Sequence, residues 1–202
     1  MSVSSVDERS YHLCENCYLI SADQKHLLDE QSEKARYASH QNGIQFDGYV
    51  SFLRQAIDPA LNFITEDMAG LDYGCGPVPT LSELLNREGY ACEDYDPFFV
   101  KHDLNKKFGF IFSTEVFEHF YYPGKEIQKI RALLDDDGIL IVMTERWEDL
   151  DHFSKWTYAR DKYHVCFYHT KTFAGICGQF GFEPLFDDGR KVIILKKANR
   201  QE

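Results

Sequence analysis

Three side chains able to hold a proton or a metal ion fall within five positions of one another: Glu115, Glu118 and His119. If residues 115–120 are helical, the three stand at i, i+3 and i+4 and share one face, while Val116, Phe117 and Phe120 pack behind them. They follow Phe108 to Ser113, a short apolar run with the makings of a fully buried strand. That puts them at the C-terminal end of a strand, where open α/β sheets carry their sites. His119, and His164 further on, are candidate catalytic bases, because imidazole titrates near neutrality.

A second constellation lies upstream. The apolar lead-in Met68 to Leu71 runs into Asp72-Tyr73-Gly74-Cys75-Gly76-Pro77. Gly74 and Gly76 allow a sharp turn and a close approach to a ligand, and the amides of a following helix favour an electron-rich group. Thr80 and Glu83 have capping-box spacing and Gly89 that of a terminating glycine, so a helix is expected over Leu81 to Glu88. The third glycine of a dinucleotide fingerprint is replaced by Pro79, which ranks a nicotinamide-dependent oxidoreductase last. Tyr90 to Tyr95 reads as the next strand, ending at Asp96, 22 residues after Gly74 and placed to hydrogen-bond a ribose diol. Pro97, Phe98 and Phe99 follow; an aromatic there either lies against an adenine face or belongs to the core. Asp103 is the acid best placed for adenine recognition. Together these residues describe a nucleoside site.

The elements that must position the two constellations follow from the pattern. With 202 residues and 44% apolar content the chain can bury one sizeable core, so a single α/β domain with an N-terminal extension is expected. Strand and helix alternate from Met68 onward, and the chain closes with Phe182 to Phe186 and Lys191 to Lys197 as a hairpin about Asp188-Gly189. Asp47 is expected to cap a helix carrying Tyr49, Phe52, Leu53 and Ile57, and Ile127, Ile130, Leu133 and Leu134 mark another, after which Asp135 to Gly138 turns into the strand Ile139 to Met143. Only twelve residues separate Asp96 from Gly109, so the third strand and its helix must be shortened or absent. Residues 144 to 170 lose their period and fill with aromatics and histidines, which marks a substrate pocket or lid.

In the extension, residues 1–44, Cys14-x-x-Cys17 has the spacing of half a zinc knuckle, to be completed by His12 or another chain, or else is a pair of packed thiols. Residues 22–42 are charged and helix-prone, and Tyr37 to Asn42 are placed to reach back over the cofactor. A net charge of −11 argues against nucleic acid and for a small molecule or protein partner. No signal-peptide core or membrane-spanning run occurs, and the scattered cysteines suit a reducing compartment, so a cytoplasmic protein without membrane contact is expected. The oligomeric state is not written in the pattern.

The D-x-G-x-G motif of Asp72, Gly74 and Gly76, with Asp96 as strand-end acid, resembles class I S-adenosylmethionine-dependent methyltransferases. The resemblance covers roughly residues 45 to 197, within a domain 45–202, and implies their Rossmann-like seven-stranded, mostly parallel sheet with a reversed last strand. The chain is similar to bacterial type-11, type-12 and type-23 methyltransferase-domain proteins with a cysteine-rich head. Thr114, Glu115 and Val116 stand where such enzymes touch the cofactor, joining Asp72, Gly74, Cys75, Gly76, Asp96, Pro97, Phe98 and Asp103. Val78 departs from the family glycine, and Gly109 from its strand-four aspartate. Glu115, Glu118 and His119 also resemble the E-x-x-E-H segment of ubiquinone-pathway and small-RNA methyltransferases. That likeness implies a divalent ion, magnesium or zinc, with His164 as a further ligand. The implied function is methyl transfer to a small-molecule oxygen. A catalytically weak or inactive S-adenosylmethionine-binding interaction protein is the competing expectation.

Overall fold

A six-stranded sheet in the order β5-β4-β6-β7-β10-β9 forms the centre of the computed structural model, which describes residues 1–6, 8–37, 42–101 and 103–199. The extension carries β1 (Ser2–Val6), β2 (Arg9–Leu13), β3 (Ile20–Ala22) and α1 (Glu30–Tyr37). Next come α2 (Asp47–Ala60), β4 (Gly70–Tyr73), α3 (Thr80–Arg87), β5 (Cys92–Tyr95), β6 (Phe108–Thr114), α4 (Pro123–Leu133) and β7 (Leu134–Met143). The chain continues through α5 (Leu150–Lys155), β8 (Cys166–Phe167), α6 (Thr170–Phe180), β9 (Phe182–Asp187) and β10 (Val192–Lys197). Residues 38–41, within the stretch expected to reach over the cofactor, lie outside the described residues.

Strands β5, β4, β6 and β7 pair in parallel, and β10 alone runs against its neighbours β7 and β9. The expected architecture stands with one correction: the sheet has six strands, not seven. The residues after Asp96 make a single bridge to Val100 in place of a third strand, since they are too few for a crossover helix and a strand together. The turn expected at Asp135 to Gly138 is a bulge within β7: Phe108 faces Leu134, Phe110 faces Ile139, and Asp137 takes φ 62°.

Period-two alternation sorts the strand side chains onto two faces. Leu140, Val142, Ile193 and Leu195 pack under α4 and α6, whereas Ile139, Ile141, Val192 and Ile194 pack under α2 and α3. Both faces are covered, which is why β6 and β7 read as continuous apolar runs. The starts of α2 and α3 differ from expectation. Asp47 and Thr80 are the first residues inside their helices, Phe46 and Pro79 hold the cap positions, and neither makes a side-chain cap bond.

The N-terminal extension, expected to be helical, holds α1 in its helix-prone segment, but the strands β1, β2 and β3 precede it, a correction to that expectation. They form a second sheet, β1-β2-β3-β8, whose last strand comes from the aromatic region far downstream. Ile20 pairs with Phe167 and Ser21 with Cys166. Beneath it Tyr11, Leu13, Ile20, Trp147, Phe153, Ala159 and Phe167 make a third, separate core.

Candidate active site

A cavity of about 550 Å³ opens at the C-terminal ends of β4, β5 and β6. One side is the glycine turn. Gly74 and Gly76 have φ of 93° and 69°, values that favour glycine, and a Cβ at Gly74 would stand 2.5 Å from a Val116 methyl. The Asp96 carboxylate ties this turn to the next: Oδ2 accepts the Gly76 amide at 3.1 Å, and Oδ1 accepts the amides of Phe98 and Phe99 at 2.8 and 3.1 Å. Asp72 is buried beneath the turn, and burial, together with the charges of Asp94 and Asp96, pushes its carboxyl well above the usual range.

The other side carries acids and imidazoles. Glu115 takes φ 54°, a left-handed conformation, and only Phe117–His119 form a helical turn, of the tighter 3-10 kind. The expected helix over 115–120 is therefore absent, and with it the shared face. Glu118 and His119 instead meet His164: one donor atom of each lies within 4.8 Å of the others, and Glu115 falls outside that cluster.

Glu118 is fully buried; its Oε2 accepts the Thr144 hydroxyl at 2.7 Å, while Oε1 has no hydrogen-bond partner among the described residues and lies 4.0 Å from His119 Nε2. Each histidine donates Nδ1–H to a main-chain carbonyl, His119 to Tyr163 and His164 to Tyr158, both at 2.9 Å. These bonds fix the tautomers and turn the Nε2 atoms to the cluster. Burial lowers the His164 pKa, with Glu118 opposing it, so the ring is neutral near pH 7. Burial and the neighbouring Glu118 push the Glu115 carboxyl up to about 9, so it carries a proton there. A buried carboxylate oxygen without a partner is costly, and a cation between the two histidines would offset that cost; the residues fit such an ion.

Of the remaining expected site residues, Cys75, Pro97, Phe98, Thr114 and Val116 line the cavity with the glycines and Asp96. Asp103 does not: it is exposed and off the cavity wall, because the shortened connection after Asp96 turns at Val100. Val78 is 39% exposed and also off the wall, so it does not crowd the ligand space. Cys14 and Cys17 have no third metal-binding side chain beside them among the described residues.

Sequence reasoning missed two contributors. From α1, Glu33 and Arg36 reach the cavity wall; Tyr121 donates to Glu33 at 2.7 Å, and Arg36 pairs with Asp161. From β2, the buried Arg9 guanidinium donates to the carbonyls of His164 and Ala159, and the Tyr11 hydroxyl donates to Ala159 as well. The extension thus clamps the segment that carries His164. A lone arginine before a cysteine pair gives no signal of that in the sequence.

A glycine turn bonded to a strand-end acid, beside a carboxylate and two imidazoles at the end of β6, fits a class of enzyme that seats a nucleoside cofactor. A family model described as methyltransferase domain matches residues 46–185. The chain belongs to that methyltransferase family, whose enzymes take the methyl group from S-adenosylmethionine.

No curated protein matches the sequence significantly. Among solved structures the fold is similar to one chain of a Haloferax volcanii complex between the Trm112 methyltransferase activator and a methyltransferase. That match has a TM-score of 0.60 at 12% identity and covers 85% of this chain and 97% of that one. An O-methyltransferase family protein from Burkholderia thailandensis matches with a TM-score of 0.56 at 14% identity, covering 84% and 64%. The magnesium protoporphyrin IX methyltransferase of Synechocystis with bound SAM matches with a TM-score of 0.51 at 15% identity, covering 84% and 92%. Among the described residues no helix is long and apolar enough to cross a membrane.

Proposed function

We propose that the chain moves the methyl group of S-adenosylmethionine to an oxygen of a small-molecule acceptor seated at Glu118, His119 and His164. The observation that carries this reading is that these three side chains converge on the same cavity as the glycine turn and Asp96. Bound there, S-adenosylmethionine supplies an electrophilic methyl group on sulfonium sulfur. The Asp96 carboxylate, already holding both turns, keeps lone pairs for ribose hydroxyls.

On the acceptor side the neutral His164 takes the hydroxyl proton at Nε2, and the Glu118 carboxylate stabilises the charge that results. Protonated Glu115 lies between the two halves as a donor. Were Glu118, His119 and His164 to hold a divalent cation, it would lower the pKa of a bound hydroxyl in place of the His164 base, whose Nε2 lone pair would then be on the metal. Holding acceptor and methyl group in line contributes on the order of 7–11 kcal/mol, so positioning outweighs the base, whose share is roughly 10²–10⁴-fold.

The test is calorimetric titration with S-adenosylhomocysteine, then a screen of hydroxylated acceptors with and without magnesium or zinc. Binding to the wild type and roughly 10–100-fold weaker binding to Asp96→Ala are expected, since bonds to a charged group are worth about 1.5–3 kcal/mol. No binding to folded wild type would sink the cofactor assignment; turnover of amines but not of hydroxyl compounds would sink the oxygen assignment.

A further inference from the structure

Beside Asp96 the cavity is walled by α4. Tyr73 and Tyr95 are the last residues of β4 and β5, and both turn to the face that this helix covers, where they share a core with Ile127 and Ile130. Their ring centroids lie 5.1 Å apart. The Lys129 ammonium stands 5.3 and 4.9 Å from the centroids of Tyr73 and Tyr95 and donates to the Tyr95 hydroxyl at 3.2 Å. One turn earlier, Glu126 Oε2 accepts the Tyr73 hydroxyl at 2.6 Å. Three positions apart on one helix, these two charges are near enough to pair. Among the described residues no ion pair joins them, and each is held by a different tyrosine instead. Glu126 is half-buried, Lys129 is exposed at the rim, and both line the cavity with Tyr73, Tyr95 and Phe98. Glu126 Oε1 has no hydrogen-bond partner among the described residues, and Lys129 keeps further N–H donors beyond the one given to Tyr95.

We propose that Glu126 and Lys129 select the adenine base of the cofactor, an inference that rests on the S-adenosylmethionine reading above. The sheet order sets the direction. With Asp96 at the end of β5 for the ribose and the Glu118 cluster at the end of β6 for the acceptor, the base falls on the β5 side, away from the reacting methyl group. There the shortened connection leaves Asp103 off the wall, and α4 supplies the acid in its place.

The chemistry of the pair matches one base edge. Adenine presents an N6 amino donor beside the N1 acceptor, so a carboxylate takes the first and an ammonium meets the second. Hypoxanthine reverses both: its O6 would face the Glu126 carboxylate, and its N1–H would face the Lys129 ammonium. Phe98, on the same wall, offers a ring for the base to lie against. The bonds from Tyr73 and to Tyr95 hold the two charges apart before any ligand arrives, which keeps both available to the base.

The test is calorimetric titration of the full chain with S-adenosylhomocysteine and with its deaminated form, S-inosylhomocysteine. The wild type is expected to bind the adenine compound roughly 10–100-fold more tightly, the usual effect of leaving charged hydrogen-bonding groups mismatched. Glu126→Gln keeps the Tyr73 bond and can donate to O6, and Lys129→Met removes the charge that opposes N1–H. Each variant, with native circular dichroism, is expected to cut the preference to about threefold or less. A merely structural role would weaken both compounds alike and leave their ratio intact. A preference preserved in both variants therefore overturns the proposal alone, as does equal binding of the two compounds by wild type. Failure of folded wild type to bind either compound would overturn the cofactor reading and this proposal together.

Discussion

Glu118 is the side chain on which most of the chemistry converges, because it binds Thr144, faces His119 and His164, and leaves one oxygen without a partner among the described residues. Glu118→Gln keeps the size and the Thr144 bond while removing the charge. Methyl transfer is expected to fall roughly 10²–10³-fold with S-adenosylhomocysteine affinity unchanged, which kinetics and calorimetry on one preparation would check. An equal loss in both would place Glu118 in the cofactor site instead. Asp72 has a pH signature of its own. Burial raises its folded-state pKa, so its stabilising share is complete below the ordinary carboxylate range and is lost as pH rises through the raised value. Wild type should therefore lose more stability than Asp72→Asn does as pH rises above the ordinary carboxylate range, as read from urea unfolding at each pH. Residue types and spacing exposed the glycine turn, Asp96 and the Glu118-His119 pair, because those features are local. The left-handed Glu115 was not legible: nothing in a glutamate's type forecasts φ 54°, and the helical face inferred from i, i+3 and i+4 vanished with it.

At the level of elements, the clamp between β2 and the segment of residues 158–168 decides how firmly His164 is held against Glu118. Arg9 grips the His164 and Ala159 carbonyls, Ala22 N–H donates to the Val165 carbonyl, and Val165 N–H donates to the Glu118 carbonyl, each of the last two at 2.8 Å. Arg9→Met is expected to speed hydrogen exchange across this segment and to cost about 1–3 kcal/mol, the usual value of leaving buried carbonyls unpaired, with cofactor affinity unaltered. Unchanged exchange there would show that β3–β8 pairing alone holds the segment. The parallel strands and α2 to α4 were legible because each announces itself by its own period and its own flanking turns. The second sheet was not. β2 and β3 are short and half polar, and β3 takes as its outer neighbour a two-residue strand 147 residues downstream, so no window of sequence contains the pairing that joins the sheet to the rest of the chain.

Taken whole, the described residues form three cores but are joined as one body, since β8 leaves the main domain to complete the extension's sheet. Both tryptophans of the chain, Trp147 and Trp156, belong to the third core or pack against it. Their fluorescence therefore reports the extension, while far-ultraviolet circular dichroism reports the helices of the main domain. Thermal transitions followed by the two probes are expected to coincide, as cooperative single domains require; an earlier fluorescence transition would mean that the extension melts independently. The same joining sets an order in time. Ile20 leaves the ribosome 147 residues ahead of its partner Phe167, which at about 5–20 residues per second is a wait of roughly 7–30 s. Throughout synthesis of the cofactor-binding strands, the nascent head exposes one unfilled strand edge and the apolar side chains of Tyr11, Leu13 and Ile20. A chaperone that shields residues 9–22 has its work in that interval, and release must come only after β8 has emerged to take its place.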